Sequence, residues 1–543
     1  MSADPQQEVI AFLSQPEAYG VAFVQRVETH ASIVFLAGGH AYKLKKAVRF
    51  SYLDYSSPEL RRAACEKELE LNQRTAPDLY LRVMPVCRAA SGGLALGGDG
   101  TIIDWLLVML RFDGAGQLDR LARHGQLSPA LMRQLADRIA DFHRSLPEEP
   151  QHGGPAAIVG IIVENRANLE RFGAGLFDAT AIGRLTEQSL DEAACREELL
   201  ELRQRSGHVR RGHGDLHLGN IALWHGAPTL FDAIEFSDRL SCVDVLYDLS
   251  FLLMDLIERS HRELASVVFN RYLDRMPEET DGTALLPLFL SIHAAIRAHV
   301  QATVAGTTTG GAARVEARRR GAGYFALAGD LLRASSPRLL AIGGVSGTGK
   351  STLAAHLSPY AGRHLGARIL RSDVIRKQLH GAAPEDRLPD SAYAPEQTAR
   401  VYEALRREAE QLLAAGCPVI ADATFLDPAE RAAIRAVASR RQVPFAAVWL
   451  DAPDAVLASR LSARVSDASD ATPTMIERQR RGTTPPTDWA GFAADCPIST
   501  LVFRSLRYLG RLGWLVGLPD DTRVGALMAD PAPLRTGARH GAP

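Results

Sequence analysis

Apolar and polar positions along this chain predict two halves that are built differently. In the first half, "ASIVFLAGGHAYKLKKA" consists of two alternating apolar runs around a Gly–Gly pair, which is typical of a β-hairpin. A helical pattern follows in "PELRRAACEKELELNQRTA", and strand patterns lie around "LRVMPVCRA" and "DWLLVMLRF". Helical spacing then dominates from about residue 128 to 205 and again from 246 to 299. The pattern predicts a small β-rich lobe followed by a mostly helical lobe.

The second half begins near Pro337, where helical spacing stops and an apolar strand leads into a glycine-rich loop. Four apolar runs, "LLAIGGV", "ARILRSD", "PVIADAT" and "FAAVWLD", alternate with helical segments, which predicts a parallel sheet with helices on both faces. We therefore expect an α+β domain at 1–310 and an α/β domain at 337–505. A helical linker at 311–336 joins them, and a partly flexible tail follows at 506–543.

Length and composition restrict the functional class. A chain of 543 residues is too long for a single ordinary core. Its 62 basic and 63 acidic residues nearly cancel, which gives no support to a general nucleic-acid or membrane surface. Six scattered cysteines without a CxxC pair indicate reduced thiols rather than a disulfide framework or a zinc site. The apolar runs are shorter than the roughly 20 residues that a membrane span needs. We expect a cytoplasmic protein without membrane contact.

The densest chemistry of the first half lies in "RGHGDLHLGN", at 211–220. Phosphoryl transfer needs one carboxylate near the hydroxyl proton and oxygen ligands for Mg²⁺ on the phosphates. Asp215 suits the first role, whereas Asn220 and Asp232, at the end of the next strand, suit the second. His213 is expected to orient the backbone of the loop rather than to bind zinc with His217.

The same chemistry requires an upstream lysine that binds the phosphates and a glutamate that forms an ion pair with this lysine. Lys43 is our choice for the lysine, and Lys45 is the alternative in register. Glu68 is our choice for its partner, with Glu66 second. The remaining basic positions, Lys45, Lys46 and Arg49, are interpreted as a solvated rim.

These residues resemble the aminoglycoside phosphotransferase and choline kinase branch of the protein-kinase-like fold, over roughly residues 25 to 300. "HGDLHLGN" is similar to the catalytic loop of that branch, and "DAIEF" stands where the branch has its metal-binding Asp. "DVLYDLSFLLMDL" is also similar, and the resemblance implies that Asp244 and Asp248 support the catalytic loop. It further implies a bilobal fold, ATP and Mg²⁺ as cofactors, and a small hydroxylated acceptor.

In the second half, "GVSGTGKS" at 344–351 fits GxxxxGK(S/T) between an apolar strand and a helix, the context that defines a P-loop. Its backbone N–H groups and the helix N-terminus favour phosphate. Lys350 is expected at the β/γ-phosphates and Ser351 at Mg²⁺. The predicted nucleotide contacts are Gly344, Ser346, Gly347, Thr348, Gly349, Lys350, Ser351 and Thr352.

Further candidates surround this loop. Asp422 ends the strand "PVIAD", where it can hold Mg²⁺ through water. Asp373 and Arg376 share one face of a helix start, so the carboxylate can take a proton while the arginine binds an anionic part of the acceptor. Arg460 and Arg464 lie one turn apart before a polar loop, as arginines of a mobile lid do.

This half resembles the P-loop kinases grouped with polynucleotide 5′-hydroxyl kinases, gluconate kinases and zeta toxins. The complete expectation is a protein-kinase-like bilobal α+β domain followed by an α/β P-loop NTPase domain with a parallel sheet. The functional hypothesis is a bifunctional ATP-dependent phosphotransferase whose domains act on hydroxyls of small molecules. One alternative makes one domain a nucleotide-sensing regulator of the other. In another, the P-loop domain acts on a nucleic-acid 5′ end.

Overall fold

The computed structural model describes residues 5–514, with positions 30, 51–52, 91, 309, 334, 464–467 and 482 left out. The chain folds into two units, each with its own core. The first unit comprises the described residues up to Tyr272 together with Leu285–Arg333. The second unit comprises Leu273–Ala284 and the described residues after position 334.

The first unit contains twelve strands and twelve α-helices in its described part. The strands are β1 (Val24–Glu28), β2 (Ser32–Ala37), β3 (His40–Lys45), β4 (Arg49–Phe50), β5 (Leu53–Asp54), β6 (Tyr80–Arg88), β7 (Leu94–Leu96), β8 (Thr101–Leu110), β9 (Val209–Arg211), β10 (Ile221–Trp224), β11 (Ala227–Leu230) and β12 (Cys242–Asp244). The helices are α1 (Pro5–Leu13), α2 (Pro58–Gln73), α3 (Leu118–Arg123), α4 (Pro129–Ser145), α5 (Gly154–Phe172), α6 (Ala179–Cys195), α7 (Glu197–Arg205), α8 (Asp238–Ser241), α9 (Val245–Glu258), α10 (Arg262–Arg275, whose last residues group with the second unit), α11 (Leu286–Thr307) and α12 (Gly311–Leu331).

A six-stranded antiparallel sheet of order β1-β2-β3-β8-β6-β7 forms the small lobe. Successive side chains of a strand point to opposite faces, so each face can be covered by a different helix. On one face Val9 and Leu13 of α1 pack with Leu44 of β3. On the other face Cys65 of α2 packs with Leu107 of β8. The predicted hairpin is β2–β3, with its turn at positions 38–39.

The helical lobe is organised around two apolar helices, α9 and α11, which pack against each other. Among the described residues, one helical stretch, Asp281–Thr307, is long and apolar enough to cross a membrane. However, 72% of its most apolar window is buried in the fold, as is typical of a core helix.

Helix α12 packs along α11, with Tyr324 and Ala328 fully buried. The Ser291 hydroxyl of α11 also donates a hydrogen bond to the Ala328 carbonyl, at 2.9 Å. The segment that we predicted as a linker is therefore helical, but it is part of the first unit.

The second unit has five strands and seven α-helices in its described part. They are β13 (Leu339–Gly343), β14 (Arg368–Arg371), β15 (Val419–Asp422), β16 (Phe445–Asp451), β17 (Ala490–Ala493), α13 (Lys350–Leu357), α14 (Ser372–Leu379), α15 (Pro395–Ala414), α16 (Pro428–Arg440), α17 (Asp454–Ser462), α18 (Thr474–Arg480) and α19 (Ile498–Arg511).

Its sheet is parallel throughout, in the order β14-β15-β13-β16-β17, as predicted. Leu340 and Ile342 of the central strand face a core that includes α13 and α19, whereas Leu339 and Ala341 face a core with α15 and α16. A continuous apolar run in β13 is therefore explained by burial on both faces. Helix α19 extends to Arg511, beyond the predicted domain end at 505, because it buries apolar residues in the first of these cores.

We predict that Leu340→Ala destabilises the second unit by about 3 kcal/mol, because it deletes a fully buried side chain from a strand packed on both faces. Urea denaturation followed by limited proteolysis would measure the loss and assign it to this unit. Leu379→Ala is the matched control, since Leu379 is 42% exposed. Equal destabilisation by the two substitutions would contradict the packing described above.

Candidate active sites

Strand β3 carries its two candidate lysines on the face that α2 covers. Lys43 Nζ lies 2.7 Å from Glu68 Oε1 and 2.6 Å from Asp232 Oδ1. Glu68 is fully buried, whereas the second-choice partner, Glu66, is exposed and pairs with Arg62. The lysine–glutamate pair expected from the sequence is thus present, and it extends to the predicted metal ligand.

The interpretation of Lys45 as part of a solvated rim is wrong. Lys45 is 1% exposed, and its Nζ lies 2.6 Å from Glu68 Oε2. The same Nζ also pairs with the carboxylate of Glu235 and lies 3.3 Å from the Tyr55 hydroxyl. The physical reason is the period of the strand: residues two apart share a face, so both lysines point toward α2.

Glu68 is therefore shared by two lysines, of which Lys45 is buried and Lys43 is 13% exposed. Burial alone lowers the pKa of Lys45, but Glu235 and Glu68 raise this pKa well above its ordinary value. Burial opposes the charge of Lys43 in the same way, and Asp232 and Glu68 raise the pKa of Lys43 well above its ordinary value. Both lysines consequently stay protonated at neutral pH.

The backbone of the loop at 211–220 is held by Asp248 of α9. Its carboxylate accepts hydrogen bonds from the backbone N–H groups of His213 and Gly214, both at 2.8 Å, and lies 3.1 Å from His143 Nε2. His213 Nε2 donates to the Phe231 carbonyl at 2.9 Å. His213 thus joins the loop to the segment after β11, which agrees with its expected orienting role.

Asp215 and Asn220 contact each other within this loop. Asn220 Nδ2 donates to Asp215 Oδ2 at 2.8 Å and to the Asp215 carbonyl oxygen at 3.0 Å. This leaves the amide oxygen of Asn220 as the atom that can bind a metal ion. The Asp215 side chain is 37% exposed, so it is accessible from solvent.

Asp232 lies alongside the same loop. The N–H of the preceding residue, Phe231, donates to the Asn220 carbonyl at 3.0 Å, and the N–H of Ile234 donates to the His213 carbonyl at 2.9 Å. Asp232 has a φ of 63°, which is uncommon for a residue other than glycine. These flanking bonds hold that backbone, and they bring together the three residues that the sequence suggested for catalysis and metal binding.

Electrostatics keep Asp215 ionised. Burial raises the pKa of this carboxyl. The opposing effect comes mainly from His217, whose Nε2 lies 3.5 Å from Asp215 Oδ2, and also from Arg297. The result is a pKa of Asp215 well below its ordinary value. Asp215 can therefore accept a hydrogen bond from a hydroxyl group at neutral pH.

Of the two aspartates expected to support the loop, only Asp248 bonds to its backbone. Asp244 instead pairs with Arg203, at 2.7 Å, and caps α9. A third acidic residue, Asp255, was missed: it accepts the Leu218 N–H at 3.1 Å. Its position on α9, seven residues after Asp248, is the sequence signal that could have identified it, because residues two turns apart share a helix face.

In the second unit, the predicted P-loop connects β13 to α13. Gly344, Gly347 and Gly349 have φ values of 136°, 89° and 89°. These positions favour glycine, and a Cβ at Gly344 would collide with the carbonyl oxygen of Leu450. The loop therefore has the backbone geometry that lets successive N–H groups converge on an anion.

Side chains of the loop differ in what they can contact. Lys350 Nζ donates to the Val345 carbonyl at 3.0 Å. Thr348 is fully buried and its hydroxyl donates to the same carbonyl, at 2.9 Å, so only its backbone can bind phosphate. Ser346 is linked to Gln479 of α18 in both directions, at 2.8 and 3.0 Å. Gln479 was missed, because no local motif marks it.

Ser351 and Asp422 form the predicted metal-binding pair. The Ser351 hydroxyl is close enough to the Asp422 carboxylate to lower the pKa of this group, and the carboxylate lies 3.7 Å from Arg371 Nε. Burial raises the pKa of Asp422, although Arg371 and Lys350 oppose this effect. The two oxygen-bearing side chains thus meet at the carboxyl end of the central strands.

Asp373 and Arg376 both lie on α14, but in different surroundings. Asp373 is half-buried. Arg376 is 7% exposed, its Nη1 donates to the Ala392 carbonyl at 2.7 Å, and its guanidinium lies 4.7 Å from the Tyr393 ring. Arg376 therefore stabilises the turn at 390–393, and its contact with an acceptor anion stays a prediction.

Arg460 lies against the P-loop. It donates to the carbonyl oxygens of Gly347, at 3.5 Å, and Ala494, at 2.7 Å. Arg464 lies outside the described residues. Thr352 is exposed on the first turn of α13.

The ion-paired lysine, the catalytic loop and the P-loop are features of nucleotide-dependent kinases, and comparison with known proteins agrees. Residues 40–285 match the model of the phosphotransferase enzyme family, and residues 339–486 match that of an AAA domain. The predicted resemblances, fold class and enzyme class are confirmed: the protein is a kinase with two kinase-type domains.

Solved structures and a curated relative are similar to this chain. A choline/ethanolamine kinase family protein from Mesorhizobium loti is 13% identical, with 61% of this chain and 95% of that chain covered and a TM-score of 0.36. A gluconokinase from Sinorhizobium meliloti 1021 is 22% identical, with 32% and 93% covered and a TM-score of 0.24. "Uncharacterized protein Rv2004c" of Mycobacterium tuberculosis is 30% identical over 458 residues, which cover 83% of this chain and 88% of the relative. The chain belongs to the family of this mycobacterial protein.

We predict that Lys45→Met destabilises the first unit by about 3 to 5 kcal/mol, because it leaves the buried carboxylates of Glu68 and Glu235 without their shared cation. Thermal denaturation monitored by circular dichroism would measure this effect. Lys46→Met removes a neighbouring charge that is 24% exposed and is the control. Indistinguishable stabilities of the two variants would contradict the role of Lys45.

Proposed function

We propose that both domains are ATP-dependent phosphotransferases, each moving the γ-phosphoryl group to a hydroxyl of its own small-molecule acceptor. The main support is the arrangement in the first unit, where Lys43 links Glu68 to Asp232 while Asp232 lies beside the loop of Asp215 and Asn220. Positively charged and oxygen-bearing groups are thus next to an ionised carboxylate that a hydroxyl can reach.

In the first unit, Lys43 would hold the α/β-phosphates and Glu68 would fix the position of Lys43. Asp215 would orient the acceptor hydroxyl and take its proton as the new bond to the γ-phosphorus forms and the bond to the β-phosphate oxygen breaks, releasing ADP. The carboxylate of Asp232 and the amide oxygen of Asn220 suit Mg²⁺, which prefers oxygen ligands. When bound, Mg²⁺ supplies charge neutralisation on the phosphates.

In the second unit, the N–H groups of the P-loop and Lys350 would hold the β/γ-phosphates. Ser351 and Asp422 offer oxygen atoms to Mg²⁺. Asp373 would take the acceptor proton in the same balanced displacement, and Arg460, already in contact with the P-loop backbone, would lie near the transferred group. Arg464 remains a candidate for stabilising the transition state. Arg376 remains a candidate for binding an anionic part of the acceptor.

A cytoplasmic location is part of this proposal. All six cysteines lie in the described part of the chain, and all are free thiols. Reduced cysteines fit a reducing compartment that also supplies ATP.

Phosphate transfer from γ-labelled ATP to a metabolite extract tests the proposal. We predict that Asp215→Asn and Lys350→Ala each abolish a different labelled product, with a decrease of at least about 100-fold, because each removes a central group of one site. Wild-type protein run in parallel defines the two products. If both variants lose the same single product, one domain regulates the other. If a 5′-hydroxyl oligonucleotide is labelled in preference to metabolites, the second domain is a polynucleotide kinase.

Calorimetry with a non-hydrolysable ATP analogue in the presence of Mg²⁺ gives an independent measurement. We predict two nucleotide sites per chain and the loss of one in Lys350→Ala, because the unrelated phosphate-binding arrangements lie in separate units. A single site in the unmodified protein would contradict two active domains.

A further inference from the structure

The acceptor side of the first catalytic loop is built on α9 and α11. The ring of His217, next to Asp215, packs on Phe251 of α9 with ring centroids 5.3 Å apart. Phe251 in turn stacks on His293 of α11 at 4.4 Å, with an angle of 18° between the rings. This chain of contacts brings the middle of α11 close to Asp215.

Arg297 lies four residues after His293, so the two side chains are neighbours on one face of α11. The charge of Arg297 is one of the contributions that lower the pKa of Asp215 and also of His299, two residues further along. Because His293 is connected to the ring of His217 through Phe251, the face of α11 that carries His293 and Arg297 lies toward the catalytic loop.

Arg297 differs from three other arginines that enter the interior of this unit. Arg61, Arg203 and Arg271 each make two hydrogen bonds to an aspartate. Arg297 is half-buried, yet its guanidinium makes no hydrogen bond or ion pair with any residue that the structure describes. It does contact the Tyr324 ring, whose centroid lies 5.9 Å from the guanidinium carbon.

That contact is weak, and Arg320 of α12 makes a similar one at the same distance. A guanidinium carries five donors and a permanent charge, so a half-buried one normally donates hydrogen bonds to oxygen acceptors. The neighbouring carboxylates do not supply one: Glu164 is paired with Arg239, Asp255 is paired with Arg259, and Glu258, which also acts on Tyr324, makes no ion pair with Arg297.

We propose that Arg297 binds an oxyanion of the acceptor, so that the first domain phosphorylates a small molecule that carries both a hydroxyl and a carboxylate or phosphate group. This inference rests on the proposed function of the same site. A planar guanidinium binds either group through two parallel hydrogen bonds and would direct the hydroxyl toward Asp215. A polycationic acceptor fits this side of the loop poorly, because it would meet an unpaired positive charge.

The test uses a metabolite extract separated by ion exchange into anionic, neutral and cationic fractions before incubation with γ-labelled ATP and the full chain. We expect the product that depends on Asp215 to form from the anionic fraction. Treatment of this fraction with phosphatase before the reaction distinguishes a phosphate-bearing acceptor, which is lost, from a carboxylate-bearing one, which is retained.

Substitutions of Arg297 then test whether this residue is responsible for the use of the anionic fraction. Arg297→Gln is expected to lower kcat/KM for the anionic fraction by about 100-fold, mostly through KM, and Arg297→Lys is expected to recover part of the loss. Arg320→Gln is the matched control, since it removes the other arginine at Tyr324 and is expected to leave the rate unchanged. Equal losses in Arg297→Gln and Arg320→Gln would show that only the contact with Tyr324 matters.

The outcomes separate this inference from the proposed function. A product that depends on Asp215 but forms from the neutral or cationic fraction overturns the inference and leaves phosphotransfer intact. If the first domain labels no fraction, or if the label persists in Asp215→Asn, the proposed function itself fails and the inference fails with it.

Discussion

The first unit depends on the compensation of charge beneath its sheet. Glu68 is fully buried and forms ion pairs with two lysines, Lys43 and Lys45. The complete cluster contains these two cations and three carboxylates, which belong to Glu68, Glu235 and Asp232. Buried charges are tolerated only when they are paired. The surplus negative charge falls on Asp232, which at 44% exposure is the most accessible member. A divalent cation would therefore be most favourable at this residue.

Site residues could be predicted from the sequence where the pattern that marks them is local, that is, confined to a few neighbouring positions. Motifs with fixed local spacing were sufficient to bring Asp215 and Asn220 into one loop and to identify the P-loop. The choice of Lys43 agrees with its ion pair to Glu68, whereas the interpretation of Lys45 as a solvated alternative was wrong for a different reason. It treated two residues of one strand face as alternatives in register, although the two-residue period of a strand already places both against α2.

Other residues could not be predicted, because their roles arise from contacts between distant segments. Glu235 reaches Lys45 across 190 residues, and Gln479 reaches Ser346 across 133. Glu235 lies three residues after Asp232 in "DAIEF", but nothing in that segment indicates a pairing with Lys45, and no motif surrounds Gln479. Arg297 is a similar case: an arginine in an apolar helix predicts only that some partner is needed, and the fold decides that this side chain lies near Asp215.

In the proposed function, the two units would meet the same requirement, the binding of a polyphosphate, by different physical means. The P-loop uses backbone N–H groups whose direction is set by glycine conformations, so its electrostatics depend little on side-chain protonation. The first unit would use ion-paired side chains, of which Glu68 and Lys45 are buried, so salt screens their pairing much less than it screens surface pairs. Buried ion pairs also hold their members in fixed positions, since losing either partner leaves an uncompensated charge. The rigidity that the P-loop obtains from its backbone is thus obtained in the first unit from the pairing of Glu68 with two lysines.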